Sequence, residues 1–247
     1  MQIKVVTSKE MEIRRVLNTL KDTLFFDKNG YTPKLPSNPA FEVLKQHARQ
    51  KRLTAEEFKI AEIITGEAYD SQKEKYDNTC KKVEEYTEEV WRLFKSLPLR
   101  EYEGWGFKVF PEYIIVPTLY GIGGSYNHEK GMVFTQLTED PERNRSRTLH
   151  EMVHVGIEEA VVKKYNLDQN TKEYIVDRFM IDHFGDIFPH YQEQKSTMRA
   201  EPRVRALLQQ QGKPKFDWRN IDREMWGVYR SPVPYPGPAL QKGPEPQ

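Results

Sequence analysis

The chain has little of what would place it outside a water-soluble, reducing setting. A single cysteine, Cys80, in 247 residues excludes an intramolecular disulfide framework and leaves stability to packing. No stretch approaches the roughly 18 consecutive apolar residues of a membrane span. The opening Met1-Gln2-Ile3-Lys4-Val5-Val6 lacks the basic flank and apolar core of a secretory signal, so a cytoplasmic location is expected. Neither sign of charge dominates: 38 Lys plus Arg stand against 37 Asp plus Glu, and that balance gives no argument for nucleic acid or a membrane surface as partner. What is present is a polar composition, 30% charged and 37% hydrophobic, in a chain long enough to bury a sizeable core.

The chemistry concentrates in Thr148-Leu149-His150-Glu151-Met152-Val153-His154, a His-Glu-x-x-His pattern in a segment of helical periodicity. Residues four apart on an α-helix share a face, so His150 and His154 can direct two imidazole nitrogens at one metal ion. Zinc accepts such a pair with one carboxylate and keeps an open position for water, whose pKa it lowers to about 7. Glu151 stands beside that position and has the chemistry of a general base. Glu158 shares the stripe but lies eight residues from His150, about 12 Å of axial rise, too far to join both histidines on one ion. A third ligand must come from another helix. The pattern breaks at Asn166-Leu167-Asp168-Gln169-Asn170 and restarts with Asn170-Thr171-Lys172-Glu173, a capping-box signature. Glu173 and Asp177 then share a face. Glu173 can complete the metal site, and Asp177 can accept the free N–H of a ligand histidine and fix its tautomer.

His-Glu-x-x-His followed, nineteen residues after the second histidine, by Glu-x-x-x-Asp resembles the gluzincin metallopeptidases of the thermolysin-like clan. The resemblance covers residues 108–184. It implies a zincin-like arrangement of a small sheet with an edge strand, a motif helix and a glutamate helix, and with the helical N-terminal half read from the residues' own periodicity the expected class is an α+β zincin-like fold. It further implies Zn²⁺ on His150, His154 and Glu173, Glu151 as catalytic base, Asp177 behind the first histidine, and a peptide or protein as substrate. In that clan the strand before the motif helix pairs with the substrate backbone, which points to Met132, Val133, Phe134 and Thr135. A tyrosine or histidine in that clan shares the oxyanion charge with the metal. Tyr126, His128, His183, His190 and Tyr191 are the candidates, with Tyr191 and His190 first because they follow the glutamate helix. A metzincin would want glycine at Ile157 and histidine at Ala160, and a deformylase-like site would want a cysteine close upstream. The alternative function is a regulatory or interaction protein with this fold that acts on one dedicated partner; the layout also loosely resembles the ImmA/IrrE-type peptidases that act on repressors.

The remaining sequence divides into a mainly helical region, 1–98, the zincin-like region, 99–230, and a proline-rich tail, 231–247, expected to be disordered. Residues 2–6 read as an edge strand. Thr7-Ser8-Lys9-Glu10 reads as a capping box opening a helix to about Phe26, and Thr54-Ala55-Glu56-Glu57 as another, opening a nearly unbroken helix to Leu97 with a kink near Gly66. Tyr69, Tyr76, Val83, Val90 and Leu97 recur every seven residues, a seam that packs within the chain or joins an oligomer. Trp105–Val116, interrupted by Pro111, reads as strand. Gly121-Ile122-Gly123-Gly124 reads as the start of a hairpin loop, since no phosphate-cradle lysine follows. Asp140 and Pro141 mark the start of the motif helix, running to about Tyr165, and Arg143, Arg145 and Arg147 are expected on its solvated face, with binding of a substrate carboxylate as the lesser alternative.

Overall fold

In the computed structural model, which describes residues 2–209 and 215–230, the opening apolar run forms strand β1 (Gln2–Val5). Six helices follow: α1 (Lys9–Lys21), α2 (Thr23–Asn29), α3 (Ala40–Arg49), α4 (Ala55–Ser71), α5 (Lys73–Lys95) and α6 (Leu99–Glu103). Ser8, not Thr7, caps α1: its hydroxyl accepts the Met11 N–H at 3.1 Å. That helix stops at Asp22 rather than Phe26, and α2 ends at Gly30, whose φ of 74° suits a residue without Cβ. The Thr54 box forms in full, with Thr54 and Glu57 each satisfying the other's backbone N–H. The break in the long helix falls at Gln72; Gly66 stays helical, because what it provides is room for the Lys9 side chain. All five heptad residues are buried inside the chain, where α5 packs against β1 and the later sheet and helices.

Trp105–Phe110 is not strand. Gly106 turns the chain with φ 100°, Phe107 inserts into the core, and β2 (Glu112–Thr118) begins only after Pro111, which has no N–H to give a ladder. The far edge of the Phe107 ring packs on Gly156, where a Cβ would lie 2.1 Å from it, so that glycine serves close packing. The expected hairpin loop contains a further strand, β3 (Gly124–Asn127), antiparallel to β4 (Met132–Gln136). The order is β1-β2-β4-β3, with β1 and β4 each parallel to β2. Met132, Val133, Phe134 and Thr135 therefore occupy an interior strand with both backbone edges paired, and cannot be the substrate strand. The free edge next to the motif helix belongs to β3.

Helix α7 (Pro141–Ile157) starts as expected, with Pro141 in its first turn and Asp140 accepting the Arg143 N–H. It crosses the face of β3 and β4. Beyond Ile157 it widens into a π-helical stretch, Glu158–Lys163. Asp168, not Asn170, caps α8 (Gln169–Phe184), so Glu173 is not drawn into a capping box and its carboxylate is free for other partners. The polar stretch that follows is a short 3₁₀ turn, Lys195–Arg199, and α9 (Pro202–Leu208), and α10 (Ile221–Arg230) closes the described chain. The described residues thus form a mixed α+β structure with ten α-helices and one four-stranded sheet. No helix among them is long and apolar enough to cross a membrane. The expected tail, 231–247, lies outside the described residues.

Two apolar clusters hold the elements together. One joins α1, α3, α4 and the first part of α5 through Val16, Leu20, Phe41 and Tyr76. The other joins the rest of α5 to the sheet, α7, α8 and the C-terminal helices through residues such as Val90, Phe94, Leu149, Phe179 and Trp218.

Candidate metal centre

Every residue from Thr148 to Ile157 is buried, which sets the polar groups of the motif against apolar surroundings. Such groups need partners. His150 Nε2 and His154 Nε2 lie 2.9 Å apart, and Glu173 Oε2 lies 3.2 Å from each. These are the three metal-ligating side chains that converge among the described residues. Nitrogen and oxygen ligands placed tetrahedrally about a zinc ion at about 2.0–2.1 Å would stand roughly 3.3 Å apart. Two imidazoles and a carboxylate meeting close to that spacing could hold a metal ion.

The surroundings hold each ligand in place. Gln169 Nε2 donates to Glu173 Oε1 at 2.6 Å and Gln194 Nε2 to Oε2 at 2.7 Å, two partners with no signature in the sequence. Tyr191 lines the cleft beside His150, with its hydroxyl turned to that ring. Its hydroxyl is 2.6 Å from His150 Nδ1 and donates at 2.6 Å to Asp177 Oδ1, while Asp177 Oδ1 itself is 3.5 Å from Nδ1. Asp177 thus orients His150 through Tyr191, and that hydroxyl is not placed to serve an oxyanion. Asp177 is anchored by the Gln194 N–H at 2.7 Å. Tyr126 stacks flat on His154, centroids 4.9 Å apart, and donates to Glu158 Oε2 at 2.6 Å. His154 Nδ1 is buried and has no partner.

His183 bonds to the Tyr102 hydroxyl inside the core, and His128 pairs with Glu159, both apart from the three ligands. His190 is exposed and lines the cleft beside the site. This cleft, about 940 Å³, is also lined by β3, by α1 and by Glu151.

The two histidines titrate in opposite directions. Burial would lower both; for His150 the hydrogen bond to Glu173 and the charges of Glu151, Glu173 and Asp177 overcome it and raise the ring, whereas His154 stays depressed. The 2.9 Å contact between the two nitrogens needs one donor and one acceptor, which this asymmetry provides. Against the desolvation of burial, the same histidines hold Glu173 well below the ordinary carboxylate range. Glu151 is not among the three ligands. Desolvation lifts it to about 7, where a carboxyl group exchanges protons readily near neutrality.

No family model, curated protein or solved structure matches the chain.

Proposed function

We propose that the chain is a zinc-dependent metallopeptidase with a zincin-like fold of the gluzincin type. The observation that carries this reading is the convergence of His150, His154 and Glu173 beside a carboxyl group, Glu151, that is not among the ligands. A structural metal site has no need of such a group. Zinc bound there supplies Lewis acidity and makes water acidic enough to attack at neutral pH. Glu151 takes the proton of the attacking water and carries it to the leaving amine. The free edge of β3, Gly124–Asn127, offers backbone hydrogen bonds to an extended peptide lying in the cleft. His190, whose ring no hydrogen bond or ion pair engages among the described residues, is the remaining first-ranked donor for the oxyanion.

Metal content and turnover test this together. Purified protein offered zinc is expected to hold about one ion per chain; Glu173→Ala and His150→Ala lose it, while Glu151→Gln keeps it and loses cleavage of a casein-derived peptide mixture. Zinc-free wild type, or Glu151→Gln as active as wild type, would overturn the proposal.

A further inference from the structure

The cleft carries positive charge that the chemistry above does not use. Arg143, Arg147 and Glu151 follow at four-residue intervals on one face of α7, and Arg15 approaches that face from α1. Arg145 alone of the expected solvated arginines turns away, to an ion pair with Glu89 at 2.8 Å.

Arg15 and Arg147 are held rigidly. Arg15 lies over the Phe134 ring at 5.6 Å, bonds to the Ser125 hydroxyl, and reaches the Ile122 carbonyl at 3.1 Å. Arg147 donates to the Gln136 carbonyl. The backbone at Gly121 and Gly123 lies against these guanidinium groups, where a Cβ would come within 2.4 and 3.3 Å of Arg15 Nε and Arg147 Nε. All these partners are neutral. Arg15 Nε is buried with no partner. Among the described residues neither arginine has a carboxylate within ion-pair distance, although Asp22, Asp140 and Glu142 share the cleft. Glu151 is the anion coupled to both, and it also opposes their desolvation. Glu12 also acts on Arg15 from within α1, so two carboxyl groups face the guanidiniums of Arg15 and Arg147, with Arg143 adding a third positive charge one turn away.

Half-buried guanidinium groups without a carboxylate in direct ion-pair contact are left short of partners. Arginine's planar fork is matched to carboxylates, which it binds with two parallel hydrogen bonds. We infer that Arg15 and Arg147 form a subsite for a carboxylate of the substrate, within one or two residues of the bond that is cut. The position follows from the helix: Arg147 lies four residues, about 6 Å of axial rise, before Glu151, and an extended peptide advances about 3.3 Å per residue. The carboxylate is either an aspartate or glutamate side chain or the peptide's own C-terminus. This rests on the peptidase reading of the cleft, and it names the substrate class.

Binding separates it from that reading. The probes are amidated hexapeptides with a single glutamate walked through a neutral sequence, the all-glutamine peptide with a free C-terminus, and the same peptide amidated. Fluorescence polarisation on zinc-loaded Glu151→Gln chain is expected to show at least tenfold tighter binding of one carboxylate probe than of the neutral peptide; which probe wins tells side chain from C-terminus. In Arg147→Met the preference should fall below threefold, and Arg15→Lys, which keeps the charge, should lose less of it than Arg15→Met. If Arg15→Met does not fold, as judged by circular dichroism, Arg147→Met still decides the matter. Equal binding of the neutral peptide, no binding of any probe, or a preference that survives Arg147→Met would overturn the inference. Carboxylate-selective binding without wild-type cleavage would refute the peptidase reading alone; cleavage indifferent to carboxylates would refute the subsite alone.

Discussion

A methyl group on Gly124 would lie 2.1 Å from Glu151 Oε1. The first residue of the free sheet edge and the proposed general base thus share one contact, with no room for a Cβ between them.

Gly124→Ala is therefore expected to push the carboxylate aside while leaving the three ligands untouched. A displacement of about 1 Å at a reacting group can lower turnover some hundredfold. Zinc content should stay at the wild-type value. Wild-type kcat in this variant would show that the carboxylate position is not critical.

Tyr191→Phe removes the hydroxyl that joins His150 to Asp177, and Asp177→Asn removes the charge behind it. Groups that orient metal-bound histidines typically contribute 10–100-fold to affinity. Both substitutions should weaken zinc binding, Asp177→Asn at least tenfold, in competition with a chromophoric chelator. An unchanged Kd for both would mean that His150 is held by packing alone.

Glu12 is the second buried carboxyl of note. It is 2% exposed and accepts the backbone N–H groups of Leu119 and Tyr120 at 3.2 and 3.1 Å, tying α1 to the end of β2. Desolvation raises it from its ordinary 4.5 to about 7. A raised carboxyl favours the folded state fully below its unfolded pKa, and that contribution is lost as pH rises through the folded value. Between pH 4.5 and 7 it declines by about 3 kcal/mol. Glu12→Gln keeps an acceptor without the charge. Its stability relative to wild type, from urea unfolding, should increase from pH 5 to pH 8; a difference independent of pH would count against the ionisation.

Much of the site could be read from local rules. The His-Glu-x-x-His spacing, the Asp140-Pro141 start and the Glu173/Asp177 spacing depend on helix geometry that operates within a few residues. Strand β3 escaped because Gly124-Ser125-Tyr126-Asn127 has none of the β-branched alternation that marks strands, and missing it moved the sheet edge from β3 to β4. Gln72 divides the long helix without glycine or proline to announce it. Arg15 reaches the cleft from α1, more than a hundred residues before the motif, and Gln194 reaches Glu173 from beyond α8; contacts of that range leave no periodic trace.

Helix α5 runs through both apolar clusters, with Tyr76 in one and Val83 onward in the other, and β1 supplies the outer strand of a sheet whose remaining strands lie beyond residue 111. A cut at residue 98 would strip a strand from one fragment and leave half of an amphipathic helix bare in the other. The chain is thus built to unfold in a single cooperative transition, and an ion that joins α7 to α8 would raise the midpoint for the N-terminal helices as well.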